Sequence, residues 1–233
     1  MKTLLTFAAT ALLAVPLFAA DDAKSDLQAG IKKLADKANY AWTATVKIDG
    51  GPAFRLGPTE GKTEKNGWTY TKSSFNDTPY ETVSKGEKGA LKRGDEWNTV
   101  EELESDDRAA WMAKRIKTFK APAAEAEDLA DKVKELQKDA AGVWSGPFTD
   151  EGAKALFVMG RRAGSAGPPD AKGSIKFWVK DGVLSKFEYT VQGTIKLPNS
   201  DEEAKVSRTG TVEIKEIGTT KVTLPEELKK KLS

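Results

Sequence analysis

The chain contains no cysteine and no histidine, and these absences exclude several kinds of site. Without cysteine there is no disulfide framework and no residue for lipid attachment next to a signal sequence. Without either residue there are no thiolate or imidazole metal ligands, and no Ser–His or Cys–His nucleophilic pair. The 37 basic and 35 acidic residues leave a formal net charge of +2, so we expect no nucleic-acid partner.

Long apolar runs are also scarce. The run from Leu4 to Phe18 follows Lys2 and ends in Ala19-Ala20, just before two aspartates. It is shorter than the ~20 residues that cross a bilayer, and its charged start and small-residue exit predict a cleaved signal peptide over residues 1–20. An uncleaved anchor is the alternative. We expect the rest of the chain to be exported, periplasmic or extracellular, and not an integral membrane protein.

Near the start of residues 21–233, the spacing of apolar residues changes from that of a helix to that of a strand. Leu27, Ile31 and Leu34 recur at helical spacing and predict an amphipathic helix over Lys24–Asn39. Apolar and polar residues then alternate over Tyr40–Ile48, which predicts a strand with one buried face.

Two dipeptides predict tight hairpins. Asn66-Gly67 lies between Thr59–Lys65 and Trp68–Ser74, and it tolerates the positive φ that both central residues of a type I′ turn require. Asp181-Gly182 is the second such signal. Further strands are expected over Tyr80–Lys85, Gly89–Lys92, Glu96–Val100, Ile175–Val179, Phe187–Ile195 and Val206–Ile217.

In the middle of the chain, apolar residues recur at the spacing of a helix. Met112, Ile116 and Phe119 form one apolar stripe, on a helix for which Ser105 is the predicted N-cap. Two more helices are expected over Ala123–Ala140 and Thr149–Met159, and a terminal helical turn opens at Pro225. Gly160–Gly173 is rich in glycine and proline, and its apolar residues follow neither the helical nor the strand period, which predicts a flexible loop.

Strands on both sides of a central helical block predict one sheet built from distant parts of the chain. We expect a single α+β domain over residues 21–233, a curved, half-open antiparallel β-barrel or sheet with helices covering the concave face. Two separate domains are the alternative. Helices that stand off the sheet would leave a ligand groove, and helices that seal it would make a core. The candidate groove residues are Trp42, Val46, Met112, Ile116, Phe119, Phe187, Tyr189, Val191 and Ile195.

The element order resembles that of a known family. The resemblance is carried by the aromatic strand Tyr40–Val46, the hairpin Lys176–Leu184 with its continuation Tyr189–Gly193, and the ending Val222–Leu228. In these features the chain resembles the LolA/LppX-like (lipoprotein-carrier-like) envelope proteins. The resemblance implies a secreted half-open barrel whose apolar groove holds acyl chains or lipoproteins. It transfers no functional residue to this chain.

We therefore expect a non-catalytic protein that binds a lipid, an acyl chain or another apolar envelope component, with no cofactor and no metal. The alternative is an envelope scaffold or interaction module with a filled core and no small ligand. A third hypothesis is a carboxylate-dependent hydrolase that uses Glu60 and Glu64, which lie on one face of a strand. A solvated sheet face explains that pair better.

Overall fold

The computed structural model describes residues 20–50, 56–158, 167–196 and 202–232. Residues 1–19 of the predicted signal peptide, Met159 at the end of a predicted helix and residues 160–166 of the predicted loop lie outside this part of the chain. The helices are α1 Ala20–Ala35, α2 Val100–Glu104, α3 Ala110–Lys117, α4 Pro122–Ala130, α5 Asp150–Val158 and α6 Glu226–Leu232. The strands are β1 Asn39–Asp49, β2 Thr59–Glu64, β3 Thr69–Phe75, β4 Thr78–Lys85, β5 Lys88–Arg93, β6 Glu96–Thr99, β7 Gln137–Lys138, β8 Val143–Pro147, β9 Lys172–Lys180, β10 Val183–Lys196 and β11 Glu203–Lys215.

All strands belong to one antiparallel sheet of 11 strands in the order β6-β5-β4-β3-β2-β1-β11-β10-β9-β8-β7. β1 pairs with β11 from Ala41↔Lys215 to Asp49↔Ser207, so the two ends of the chain meet in the middle of the sheet. The sheet does not close, because β6 and β7 remain as its edges among the described residues. The predicted α+β class with a half-open antiparallel sheet is confirmed.

The two hairpin signals have different outcomes. Asp181 and Gly182 have φ values of 53° and 74°, as the predicted turn between β9 and β10 requires. At the other hairpin β2 and β3 pair as expected, but only Asn66 of the dipeptide has a positive φ, at 57°. Gly67 N donates to Glu64 O at 3.0 Å, so the connection is longer than a two-residue type I′ turn.

Helices α1, α4 and α5 cover one face of β8–β11 and β1, which we call the inner face. The alternation of β10 turns Phe187 and Val191 to this face, and Leu27 and Leu34 of α1 pack with them in the main core. All four side chains are fully buried. Burial of about 25 cal/mol per Å² of apolar surface makes this contact the main support of the fold.

Helix α6 covers the opposite, outer face near β6. Lys231 Nζ donates to Trp97 O at 2.9 Å and lies 3.2 Å from a Glu102 carboxylate oxygen. The apolar cluster beneath the helix contains Val83, Ala90, Trp97, Leu224, Leu228 and Leu232. No helix of the described residues is long and apolar enough to span a bilayer.

The central helices differ from the predicted ones. Ser105 ends α2 as its C-cap, and Thr99 begins that helix with a capping box closed by Glu102. Helix α4 stops at Ala130, ten residues before the predicted end, because the following chain forms strand pairs. Val133 makes an isolated bridge to Phe148, just after β8, and β7 then pairs with β8. The end of the predicted loop is also corrected, since Lys172 and Gly173 belong to β9.

The sealed core predicts a large loss of stability when its central aromatic ring is removed. Phe187→Ala should lower the free energy of unfolding by about 3–5 kcal/mol, because a cavity remains beneath α1. Urea unfolding followed by tryptophan fluorescence measures this. Phe75→Ala is the matched control, since Phe75 is 48% exposed and should change stability by less than about 0.5 kcal/mol. Equal losses in the two variants would contradict the assigned core.

Candidate functional site

The strand residues proposed for the groove lie together on the inner face. Five of them pack in the main core with exposures between 0% and 6%, namely Trp42, Phe187, Tyr189, Val191 and Ile195. Val46 lies two positions beyond Ala44 on the same side of β1 and is half-buried. The helices seal most of this face, and Val46 lies where the cover ends.

The α3 residues are distributed differently. Ile116 and Met112 pack in a separate cluster with Leu91 and Leu103, against β5. Phe119, just after α3, is 37% exposed, and its ring stacks on Trp42 with centroids 6.1 Å apart and planes 18° from parallel. The structure therefore brings Phe119, but not Met112 or Ile116, to the proposed strand residues.

Trp42 is held in one orientation from two sides. Its indole lies flat over Gly61 in the neighbouring strand, where an added Cβ would come within 2.0 Å of the ring. Its Nε1 donates to Thr63 Oγ1 at 3.1 Å, and Thr69 Oγ1 donates to the same oxygen at 3.3 Å. A fixed indole that stacks against a partly exposed ring is a preformed apolar contact surface.

Beyond Trp42 the inner face of β2–β4 is lined with small hydroxyl side chains, which we call the hydroxyl surface. Thr71 and Thr82 share a hydrogen bond of 2.6 Å, and Thr59 donates to Ser73 at 3.0 Å. Strand alternation and register place Thr59, Thr63, Thr69, Thr71, Ser73, Thr82 and Ser84 on this side. The sequence carried the signal, as threonines at alternate positions, but the groove hypothesis considered only apolar residues.

Two ionisable side chains near one another, Arg208 and Glu125, also lie on the inner face and were not anticipated. Arg208 is paired with Ile48 on one side and Val191 on the other, which places it among inward residues. Its guanidinium lies 6.0 Å from the centre of the Tyr189 ring. Burial raises the pKa of Glu125 on α4 from 4.5 to about 7, although the nearby positive charge of Arg208 opposes the rise. Burial also raises the pKa of Tyr189.

Two surface depressions occur away from the candidate residues. One, of about 420 Å³, lies near Lys37, Asp181 and Ile214, and the other, of about 390 Å³, lies near Trp97 and Lys231. None of the nine groove candidates lines either depression. Because five of the candidates are at most 6% exposed, a ligand at Trp42 would have to displace side chains that cover it, such as Phe119.

Glu60 and Glu64, the two carboxylates proposed for catalysis, have surroundings that differ from each other. Glu60 is exposed, and Glu64 Oε1 accepts a hydrogen bond from Val222 N at 2.9 Å, so Glu64 anchors the C-terminal segment. Among the described residues no group of three or more acidic side chains is arranged to hold a metal ion.

The pKa of Glu125 predicts a pH dependence of stability. Because the folded state holds this proton more tightly than the unfolded chain, stability should fall as pH rises from 4.5 to about 7. Glu125→Gln should remove the fall, so that between pH 4.5 and 8 the variant gains up to roughly 3 kcal/mol relative to the original protein. Urea unfolding at several pH values measures the gain. Glu127 is exposed on the same helix, and the stability of Glu127→Gln should differ from that of the original protein by the same amount at every pH. If both variants showed the same dependence on pH, the assignment of the effect to Glu125 would be refuted.

No protein-family model and no curated protein matches this chain. The structure is similar to LprF from Mycobacterium bovis, with 13% identity, TM-score 0.49 and coverage of 88% of this chain and 97% of that one. It is similar to the Mycobacterium tuberculosis lipoprotein LppX, with 12% identity, TM-score 0.48 and coverage of 89% and 100%. It is also similar to a DUF1329 family protein from Desulfovibrio piger, with 12% identity, TM-score 0.35 and coverage of 91% and 98%.

Proposed function

We propose that the protein is an exported, non-catalytic binding protein. It holds a lipid, an acyl chain or another apolar envelope component against the inner face of its sheet, at the Trp42–Phe119 stack. The observation that carries the proposal is this stack, in which a fixed indole is covered by the 37% exposed ring of a chain connection. If an acyl chain of the ligand replaced the Phe119 ring, the Trp42 indole would stay covered.

The surroundings of the stack suit an amphiphile. Val46 offers a half-buried apolar side chain beside the covered region. The hydroxyl surface on β2–β4 and Arg208 on β11 supply hydrogen-bond donors on the same face. Apolar contact and a few fixed polar groups are the usual composition of a small-ligand site.

The second candidate function is an envelope scaffold without a ligand. The exposures of 0–6% at five of the groove candidates favour it, because that part of the inner face is a filled core. The two functions differ in whether the segment around Phe119 opens.

Export and domain organisation also belong to this proposal. We place cleavage after residue 20 and one domain over residues 21–233. Ala23 is 3% exposed, and its carbonyl oxygen accepts a hydrogen bond from Trp144 Nε1 at 3.0 Å. This early contact supports a folded domain that starts close to residue 21.

A displacement assay tests ligand binding. A fluorescent polyunsaturated fatty acid should bind residues 21–233 and be displaced by unlabelled fatty acid. Phe119→Ala should bind about two- to tenfold more tightly, because the ligand no longer competes with a ring stack of about 0.5–1.5 kcal/mol.

Trp178→Ala is the control, since Trp178 lies on the outer face opposite Lys186 and should leave affinity unchanged. A folded protein that binds no probe, with or without Phe119, would reject ligand binding and favour the scaffold.

A further inference from the structure

The solvent side of α3 carries an exposed indole. Trp111 is 54% exposed, whereas Trp42, Trp97 and Trp144 are each 5% exposed. Ala113 and Ile116 on the opposite side of the helix are buried against the sheet, so Trp111 cannot turn inward without unpacking α3. The indole therefore faces the surroundings of the protein.

Two cations flank this indole. The Arg115 guanidinium lies 5.9 Å from the centre of the Trp111 ring, and Lys114 follows on the same exposed side. No carboxylate in the described part of the chain forms an ion pair with Lys114 or Arg115. By contrast Lys117 pairs with Glu104 at 2.9 Å. The exposed side of α3 therefore combines an indole with two positive charges that form no ion pair among the described residues.

We propose that this side of α3, formed by Trp111, Lys114 and Arg115, docks the protein on an anionic lipid bilayer. An indole is stable at the boundary of headgroups and acyl chains, because its ring is apolar and its N–H is polar. Lysine and arginine are attracted to anionic headgroups by about fivefold in affinity for each charge. The charge complementarity favours a lipid surface as the occupant.

The docking surface is continuous with the proposed ligand site but does not depend on it. Phe119 lies two residues after α3 ends and stacks on Trp42. A bilayer bound to α3 would place lipid next to that stack. Docking can therefore be measured whether or not a ligand enters the inner face.

Vesicle cosedimentation tests the proposal. Residues 21–233 should bind vesicles of phosphatidylcholine with phosphatidylglycerol and not vesicles of phosphatidylcholine alone. Lys114→Gln with Arg115→Gln should weaken binding roughly 30-fold, and added salt should weaken it further. Trp111→Ala should weaken it roughly tenfold and abolish the quenching of protein fluorescence by brominated lipid.

Trp178→Ala is the matched control. Lys186 lies 5.0 Å from the centre of the Trp178 ring, but Glu188 and Glu213 neutralise that lysine, so binding should not change. The proposal would be overturned if the protein bound neither vesicle type or bound both equally. It would also be overturned if Trp111→Ala and Trp178→Ala lost the same amount of binding. Self-association that depends on Trp111 without vesicle binding would also overturn it, in favour of a protein interface.

Discussion

The structure depends on the pairing of β1 with β11. This ladder joins the strand that follows α1 to the last long strand of the chain, across more than 150 residues of sequence. Without it the strands before and after the helical block would form two smaller sheets, each with an unpaired edge. With it, α1 lies over β10 and can bury Leu27 and Leu34 against Phe187. The inner face, and any site on it, exists only because this long-range register forms.

The inner face is chemically divided. On the β8–β11 side it is apolar apart from Arg208, and it is sealed by alanine-rich and leucine-rich helices. On the β2–β4 side it consists of threonine and serine hydroxyls that bond to one another. Buried hydroxyls are stable only when they are paired, which explains the short contacts between facing threonines. Trp42 lies at the boundary, because its ring packs with the apolar side and its N–H bonds to Thr63.

The sequence predicted the strands better than the helices. Alternation over Tyr40–Ile48 and Phe187–Ile195 reports directly which side chains are buried, and both strands were found with the expected faces. Helical period continued past Ala130, but strand pairing at β7 overrode it. The inward position of Arg208 is visible in the alternation of β11. Its closeness to Glu125 depends on how α4 crosses the sheet, which no local pattern encodes.

Two partly exposed aromatic rings lie on α3 and just after its end. Trp111 lies on the solvent side of the helix and Phe119 at its exit, and both are more exposed than folding alone requires. The helix is fixed between them by Ile116, whose side chain packs over Gly89. A contact that engages Trp111 therefore acts on a rigid element whose far end covers Trp42. A surface that binds α3 and a ligand that displaces Phe119 would therefore act on the two ends of one short stretch of chain, Trp111–Phe119.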